Sequence, residues 1–354
     1  APDAVCLHNG RDARLVRALA QPGRPYLLLW YIHDHYPTCL TGLRTTRDDR
    51  HSVCRQRLSM SCLIEAGRGS CTQRTPGRSY RMPDLFARLN LLESARRVDA
   101  VLVPSPFLRE TLLASLPEIE HRIHVVPPPV MRRPAAPRAV ANPPVVAYDA
   151  PIIYEQGLHV TLAALGLLPR GQRLQVRIAG AVADAGYWAH CQERIRALES
   201  TRPTIGIEYL GVLDGVRRGA LYDATDVLTV PRLRREASER NAAEAMVRGA
   251  AVIATRIGAT HEWIRDGKTG LLIPPGDAGA LAGALARLLA DEAWRAELVM
   301  AGRWLIGNQF TAHEHVETLA AVIAACRAQR RGPTRWRLHP RPPEPPADCA
   351  ARAS

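Results

Sequence analysis

Apolar residues in this chain gather in short unbroken runs that alternate with stretches of helical period. The first half has four such runs, at 4–8 (AVCLH), 26–33 (YLLLWYIH), 100–104 (AVLVP) and 123–127 (IHVVP). Helical patterns lie between them, in RDARLVRALA, MPDLFARLNLLESARRV and SPFLRETLLASL. Strands that are apolar on both faces, with helices between, predict a parallel sheet covered on both sides. The stretch at 40–80 is rich in Arg, Ser, Cys and Gly and reads as a long irregular insertion.

Residues 127–144 (PPPVMRRPAAPRAVANPP) break the pattern, since proline suits neither a helix interior nor a central strand. A second alternating series follows this linker. Its strands are predicted at 145–149, 175–180, 207–211, 226–231 and 251–255. Its helices are predicted near 158–167, 186–199, 215–224, 239–249, 259–266 and 277–290. The reading is a partial N-terminal domain over 1–126, the linker, a second doubly wound domain over 145–310 and a C-terminal helix over 311–326. An Arg- and Pro-rich tail over 327–354 has the composition of a disordered segment. Two such domains in tandem enclose a cleft, and ligands bind such sheets beyond the carboxyl ends of the strands.

Composition changes this picture little. The 354 residues suffice for two cores, and no apolar run is long enough to span a membrane. The net charge of +13 favours phosphorylated ligands, anionic lipid or nucleic acid without choosing among them. No basic stripe interleaved with aromatics argues for a specific nucleic-acid partner. Peripheral contact with an anionic membrane is compatible with the charge, and a cytoplasmic location is expected. Cys39, Cys54, Cys62 and Cys71 fall close together, but their gaps match no zinc-site spacing. A metal or disulfide clip and idle thiols both remain open for them.

Candidate chemistry concentrates in EASERNAAE at 236–244, which follows the strand DVLTVP. Glu236 lies in the loop at that strand's carboxyl end, and Glu244 lies in the helix that follows. A helix N-terminus presents unpaired N–H groups and suits an anion, while carboxylates beside it suit polyol hydroxyls. The alternative is ordinary helix pairing, Glu236 with Arg240 and Glu244 with Arg248. In the first domain His33 and His35 share a face if their strand persists. They read either as hydrogen-bonded histidines at a strand end or as a metal-binding pair, for which no third ligand is evident.

The run EASERNAAEAMVRGAAVIATRIGATHEWIRDGKTGLLIPPGD resembles the donor-binding half of GT-B glycosyltransferases. The resemblance is to the large retaining family of the family 4 type, glycosyl transferases group 1. HNG, YIHDHYPTC, VPSPFLRETL and HVVPPPV follow the same family's order in the first half. The resemblance implies an α/β fold of two Rossmann-like domains facing a cleft. It also implies transfer of a sugar from a nucleoside-diphosphate sugar to a polysaccharide, lipid-linked or small acceptor, with no metal or cofactor. The opening strand and glycine-rich loop of the family are not seen, so the first domain is expected to be incomplete.

Residue by residue, the resemblance puts Glu244 on the ribose hydroxyls and Glu236 against the donor sugar and its leaving group. Backbone from Ala237 through Ser238 and Arg240 to Asn241 would contact sugar and diphosphate. Gly180 and Gly258 would line the donor site, Glu262 matches the turn after Gly258, and His33 would face the acceptor. Three departures stand out. Pro151 and Gln156 occupy the places of an arginine and a lysine that clamp the diphosphate, near the added negative charge of Asp149. Glu239 replaces a glycine where backbone would approach the ligand. Arg232, Arg234 and Arg235 flank Glu236 and are candidates to supply the missing charge. The departures also support an alternative, a non-catalytic relative that binds or scaffolds.

Overall fold

The computed structural model describes residues 2–42, 54, 56–68, 71, 84–131 and 142–331. In the first domain, β1 (Ala4–His8), α1 (Ala13–Leu19), β2 (Leu27–Tyr31), α2 (Ser61–Arg68), α3 (Leu85–Glu93), β3 (Ala100–Val103), α4 (Pro106–Leu113) and β4 (Ile123–Val125) follow in order. All four strands are parallel, in the order β1-β2-β3-β4. Asp12, Asp84 and Ser105 cap α1, α3 and α4, each side chain accepting from an N–H of the first turn.

The second domain contains β5 (Val145–Asp149), α5 (Leu158–Leu167), β6 (Leu174–Ala179), α6 (Ala185–Thr201), β7 (Ile205–Gly211), α7 (Gly215–Asp223), β8 (Val227–Val230), α8 (Arg240–Val247), β9 (Ala251–Thr255), α9 (Thr260–Trp263), β10 (Leu271–Ile273), α10 (Ala278–Ala290) and α11 (Glu292–Gln309). Its six parallel strands run β10-β9-β8-β5-β6-β7. Strands β5, β8 and β9 are buried at every position, which is why they read as continuous apolar runs. The chain winds outward from β5 in one direction and from β8 in the other. The carboxyl ends of this central pair are therefore the topological switch point.

Several expected boundaries differ. The strand expected over 26–33 ends at Tyr31, and a 3-10 turn over Tyr36–Thr38 follows, with Asp34 Oδ1 accepting from the Tyr36 N–H at 2.8 Å. The condition for His33 and His35 to share a strand face is thus not met. A helix, α2, lies inside the stretch expected to be irregular, because Ala66 packs into the first core while its polar residues face outward. The sixth strand of the second sheet, β10, went unforeseen, since three residues give no periodicity. The helix expected over 259–266 is the single turn α9.

The last helix, α12 (Ala312–Arg331), continues past the expected start of the tail at 327. Leu319, Val322, Ile323 and Cys326 recur at helical spacing and pack on Leu27, Leu29 and Tyr31 of the first sheet. One turn further on, Arg330 forks onto Asp99 with both contacts at 3.0 Å, which holds the helix end in place. Most of the proline-rich linker, 132–141, and the tail from 332 lie outside the described residues. Among the described residues no helix is long and apolar enough to cross a membrane.

Packing contacts and a hydrogen bond join the domains beside the switch point. Ala237, 4% exposed, packs with the first core, and Phe107 at the start of α4 packs against the second. Glu262 of α9 accepts from the Phe107 N–H at 2.7 Å, so a carboxylate of one domain satisfies a helix terminus of the other.

Candidate active site

The loops that leave β5 and β8 meet at the switch point, and glycines set how closely. Gly157, with φ of 77°, lies against the end of β8, where a Cβ would fall 1.9 Å from the Pro231 carbonyl oxygen. That approach brings Gln156 beside Arg232. Gly258, with φ of 61°, lies under the Glu236 backbone, and a Cβ there would fall 2.7 Å from the Glu236 carbonyl oxygen. The next N–H, of Ala259, donates to that same oxygen at 3.0 Å. Only glycine fits either position without moving the backbone.

One oxygen of Glu236 is the hub of the site. Oε1 accepts from Arg234 Nε at 2.6 Å, from Arg232 Nη1 at 3.1 Å and from Gln156 Nε2 at 3.1 Å. Among the described residues no hydrogen bond uses Oε2. Burial pushes the carboxyl up, but the two guanidiniums and Gln156 outweigh it and hold Glu236 below the usual carboxylate range. Glu236 is therefore an anion at neutral pH.

The structure accounts for the departures at 156 and 239 together. Gln156 Oε1 accepts from Arg232 Nη1 at 3.0 Å, so position 156 carries an amide that bridges a guanidinium and a carboxylate. Glu239, fully buried, pairs through Oε2 with Arg232 Nε at 3.1 Å, and its Oε1 is 3.1 Å from the Thr260 hydroxyl. Its side chain thus turns into the protein and leaves the backbone of 237–241 uncovered by it. Burial raises the Glu239 carboxyl, and Arg232 offsets part of that. Asp149 is likewise paired, with Arg218 at 3.0 Å, and it accepts from the Tyr222 hydroxyl at 2.6 Å. Pro151 is exposed.

The other expected residues fall into two groups. Ala237, Ser238, Asn241 and Glu244 lie on the loop and first turns of α8. Asn241 Nδ2 donates to the Asp149 carbonyl at 3.1 Å and ties α8 to β5. Glu244 pairs with Arg240 at 2.8 Å, whereas Arg248 turns to Asp223. Neither helix pair weighed from the sequence, Glu236–Arg240 or Glu244–Arg248, forms. Gly180 ends β6 and donates to the Gly211 carbonyl at 2.9 Å. Arg235 points to the domain junction, its guanidinium 5.5 Å from the Phe107 ring centroid.

His33 belongs to a separate cluster. Its Nε2 is 2.9 Å from His8 Nδ1, and its ring stacks on Tyr31 with centroids 4.1 Å apart. Burial, then His8, lowers its pKa and keeps it neutral. None of its described contacts reaches residues 232–244. Among the described residues Cys39, Cys54, Cys62 and Cys71 form no disulfide, and Cys62 and Cys71 pack against the first core. Among the described residues no group of three or more His, Cys, Asp or Glu is arranged to hold a metal ion. The sequence reading missed Gly157, Thr260 and the Phe107–Glu262 contact. Only Gly157 left a signal, as the glycine directly after Gln156.

Residues 143–291 match the family model of glycosyl transferases group 1. A phosphatidyl-myo-inositol mannosyltransferase of Mycobacterium leprae is 36% identical over 96 residues, 27% of this chain and 26% of that protein. The chain spans a quarter to just under half of the length of the curated relatives it matches first. Among solved structures, sucrose-phosphate synthase from Thermosynechococcus elongatus superposes with a TM-score of 0.66 at 21% identity, covering 92% of this chain and 74% of that one. The Anabaena HepE protein in complex with UDP and glucose gives 0.63 at 15% identity, covering 91% and 78%. These likenesses show the fold, a GT-B arrangement of two Rossmann-like parallel-sheet domains.

Proposed function

We propose that the protein is a retaining glycosyltransferase that moves a sugar from a nucleoside-diphosphate sugar to a glycan, lipid-linked or small acceptor. The observation that carries the proposal is the position of Glu236 and Glu244. One lies at the carboxyl end of β8 and the other on α8, at the switch point of the domain that matches glycosyl transferases group 1. The HepE complex with UDP and glucose supports a nucleotide-sugar donor for a protein of this fold.

In this reading Glu244 accepts from the ribose hydroxyls, and Glu236 Oε2 accepts from a hydroxyl of the donor sugar. The bond from the sugar's anomeric carbon to the diphosphate breaks as the acceptor oxygen bonds that carbon on the same face. The acceptor proton passes to the departing diphosphate. Charge gathers on the leaving group, where fixed cations stabilise it most. Arg232 and Arg234 place two cations within hydrogen-bond distance of Glu236. Arg232 is balanced by Glu239, so Arg234 is the cation that offsets the basic residues absent at 151 and 156, and this favours an enzyme over a scaffold. His33 is assigned to the acceptor side on resemblance alone. A cytoplasmic location and a peripheral contact with anionic lipid belong with this proposal.

The test is release of UDP, GDP or ADP from a panel of their sugar conjugates, with the anomeric configuration of the product read by NMR. Turnover of one donor class with retention, lost in Glu236→Ala, is expected. Turnover with inversion would overturn the retaining assignment, and an inert, non-binding chain would overturn the enzyme.

A further inference from the structure

The three arginines before Glu236 do three different things, and one is built as an anion receptor. Arg232 is committed to the protein: Nη1 serves Gln156 and Glu236, Nε faces Glu239, so two carboxylates balance its charge, and the side chain is only 11% exposed. Arg235 faces the Phe107 ring at the domain junction. Arg234 is held at a single point, Nε to Glu236 Oε1 at 2.6 Å, and its side chain is 25% exposed. Among the described residues neither Nη1 nor Nη2 of Arg234 has a hydrogen-bond partner.

A guanidinium anchored through Nε is fixed in its plane, with both terminal amino groups still able to donate. That is the geometry of two-point phosphate recognition. Resting on the nucleotide-sugar reading above, we infer that Arg234 is the side chain that grips the donor's diphosphate, and that Glu236 aims it. Arg232 is then a positioning residue. It fixes Glu236 from the buried side and contacts no phosphate. The charge absent from position 156 is thus returned to the site from the β8 loop, two residues before Glu236.

The assignment separates phosphate affinity from nucleoside affinity. The experiment is calorimetric titration of the full chain with UDP, GDP and ADP, and with the corresponding nucleosides, for wild type, Arg234→Ala and Arg234→Lys. Circular dichroism checks that each variant is folded. In the wild type one diphosphate binds. Arg234→Ala weakens that diphosphate at least tenfold, leaves the nucleoside within twofold, and flattens the salt dependence of diphosphate binding. Arg234→Lys, which keeps charge without the fork, falls in between. Equal diphosphate affinity in wild type and Arg234→Ala would overturn the role of Arg234 and leave the glycosyltransferase reading standing. A wild type that binds none of the three diphosphates would overturn both, and would be seen before any variant is made.

Discussion

Arg232 and Glu239 form a buried ion pair, Nε to Oε2 at 3.1 Å, in which each partner accounts for the other. Glu239 without Arg232 would be an uncompensated buried charge, and Arg232 without Glu239 would have no anion behind it to balance its bond to Glu236. Breaking a buried pair from one side is costly, whereas removing both partners costs much less. Arg232→Ala is expected to lower stability by about 3–5 kcal/mol. The double variant Arg232→Ala/Glu239→Ala should recover a large part of that loss. A double-mutant cycle by urea denaturation measures the coupling. Additive losses would mean that the two side chains stand independently.

Glu262 gives the domain junction a pH dependence. Burial raises its carboxyl to about 7, and the Phe107 N–H it accepts offsets only part of that. A carboxyl raised in the folded state contributes stability that is full below the unfolded value near 4.3 and is lost as pH rises through about 7. Glu262→Gln keeps an acceptor for Phe107 without the charge. Its melting temperature should match the wild type near pH 4.5 and exceed it by roughly 2–4 °C at pH 8. Melting curves across that range decide the matter, and a constant difference at all pH values would rule the effect out.

Gly258 sets the height of Glu236. A methyl group there would press on the Glu236 backbone from a positive-φ position. Gly258→Ala is expected to cost about 2–4 kcal/mol, from the left-handed conformation and from overpacking together. It should also weaken nucleotide binding, whereas alanine at an uncrowded glycine should leave both stability and binding nearly unchanged. Gly215→Ala is the control, since a Cβ there meets nothing within 4 Å. Equal nucleotide affinity in a folded Gly258→Ala protein would show that the backbone approach does not govern the site.

Much of this architecture was legible in the sequence because parallel strands buried on both faces write themselves as unbroken apolar runs. VVAYD and AVIAT became β5 and β9 with the expected bounds. Short elements left too little pattern, as with β10 and the single turn α9. The strand at 26–33 was read too long because Ile32 and His33 continue the run, while the Asp34 turn that ends it is a matter of local hydrogen bonding. In the candidate site, Glu236 and Glu244 were visible as spaced carboxylates after a strand. Glu239 read as a charge facing the ligand, because spacing carries no information on side-chain direction near a helix start. That it turns inward follows from Arg232 and Thr260, one seven residues before it and the other twenty-one after. The division of work among Arg232, Arg234 and Arg235 was equally hidden, since it depends on Gln156 and Phe107 from elsewhere in the chain.

The central claim is that a nucleoside diphosphate sits at the β5–β8 switch point with its ribose on Glu244. Calorimetric titration of wild type and Glu244→Ala with UDP-, GDP- and ADP-sugars tests it most directly. Binding of one base class by the wild type is predicted, with a loss of roughly 10–100-fold in Glu244→Ala, as expected for hydrogen bonds to a charged group. Wild-type affinity in Glu244→Ala, or no binding of any of these donors by the wild type, would contradict it.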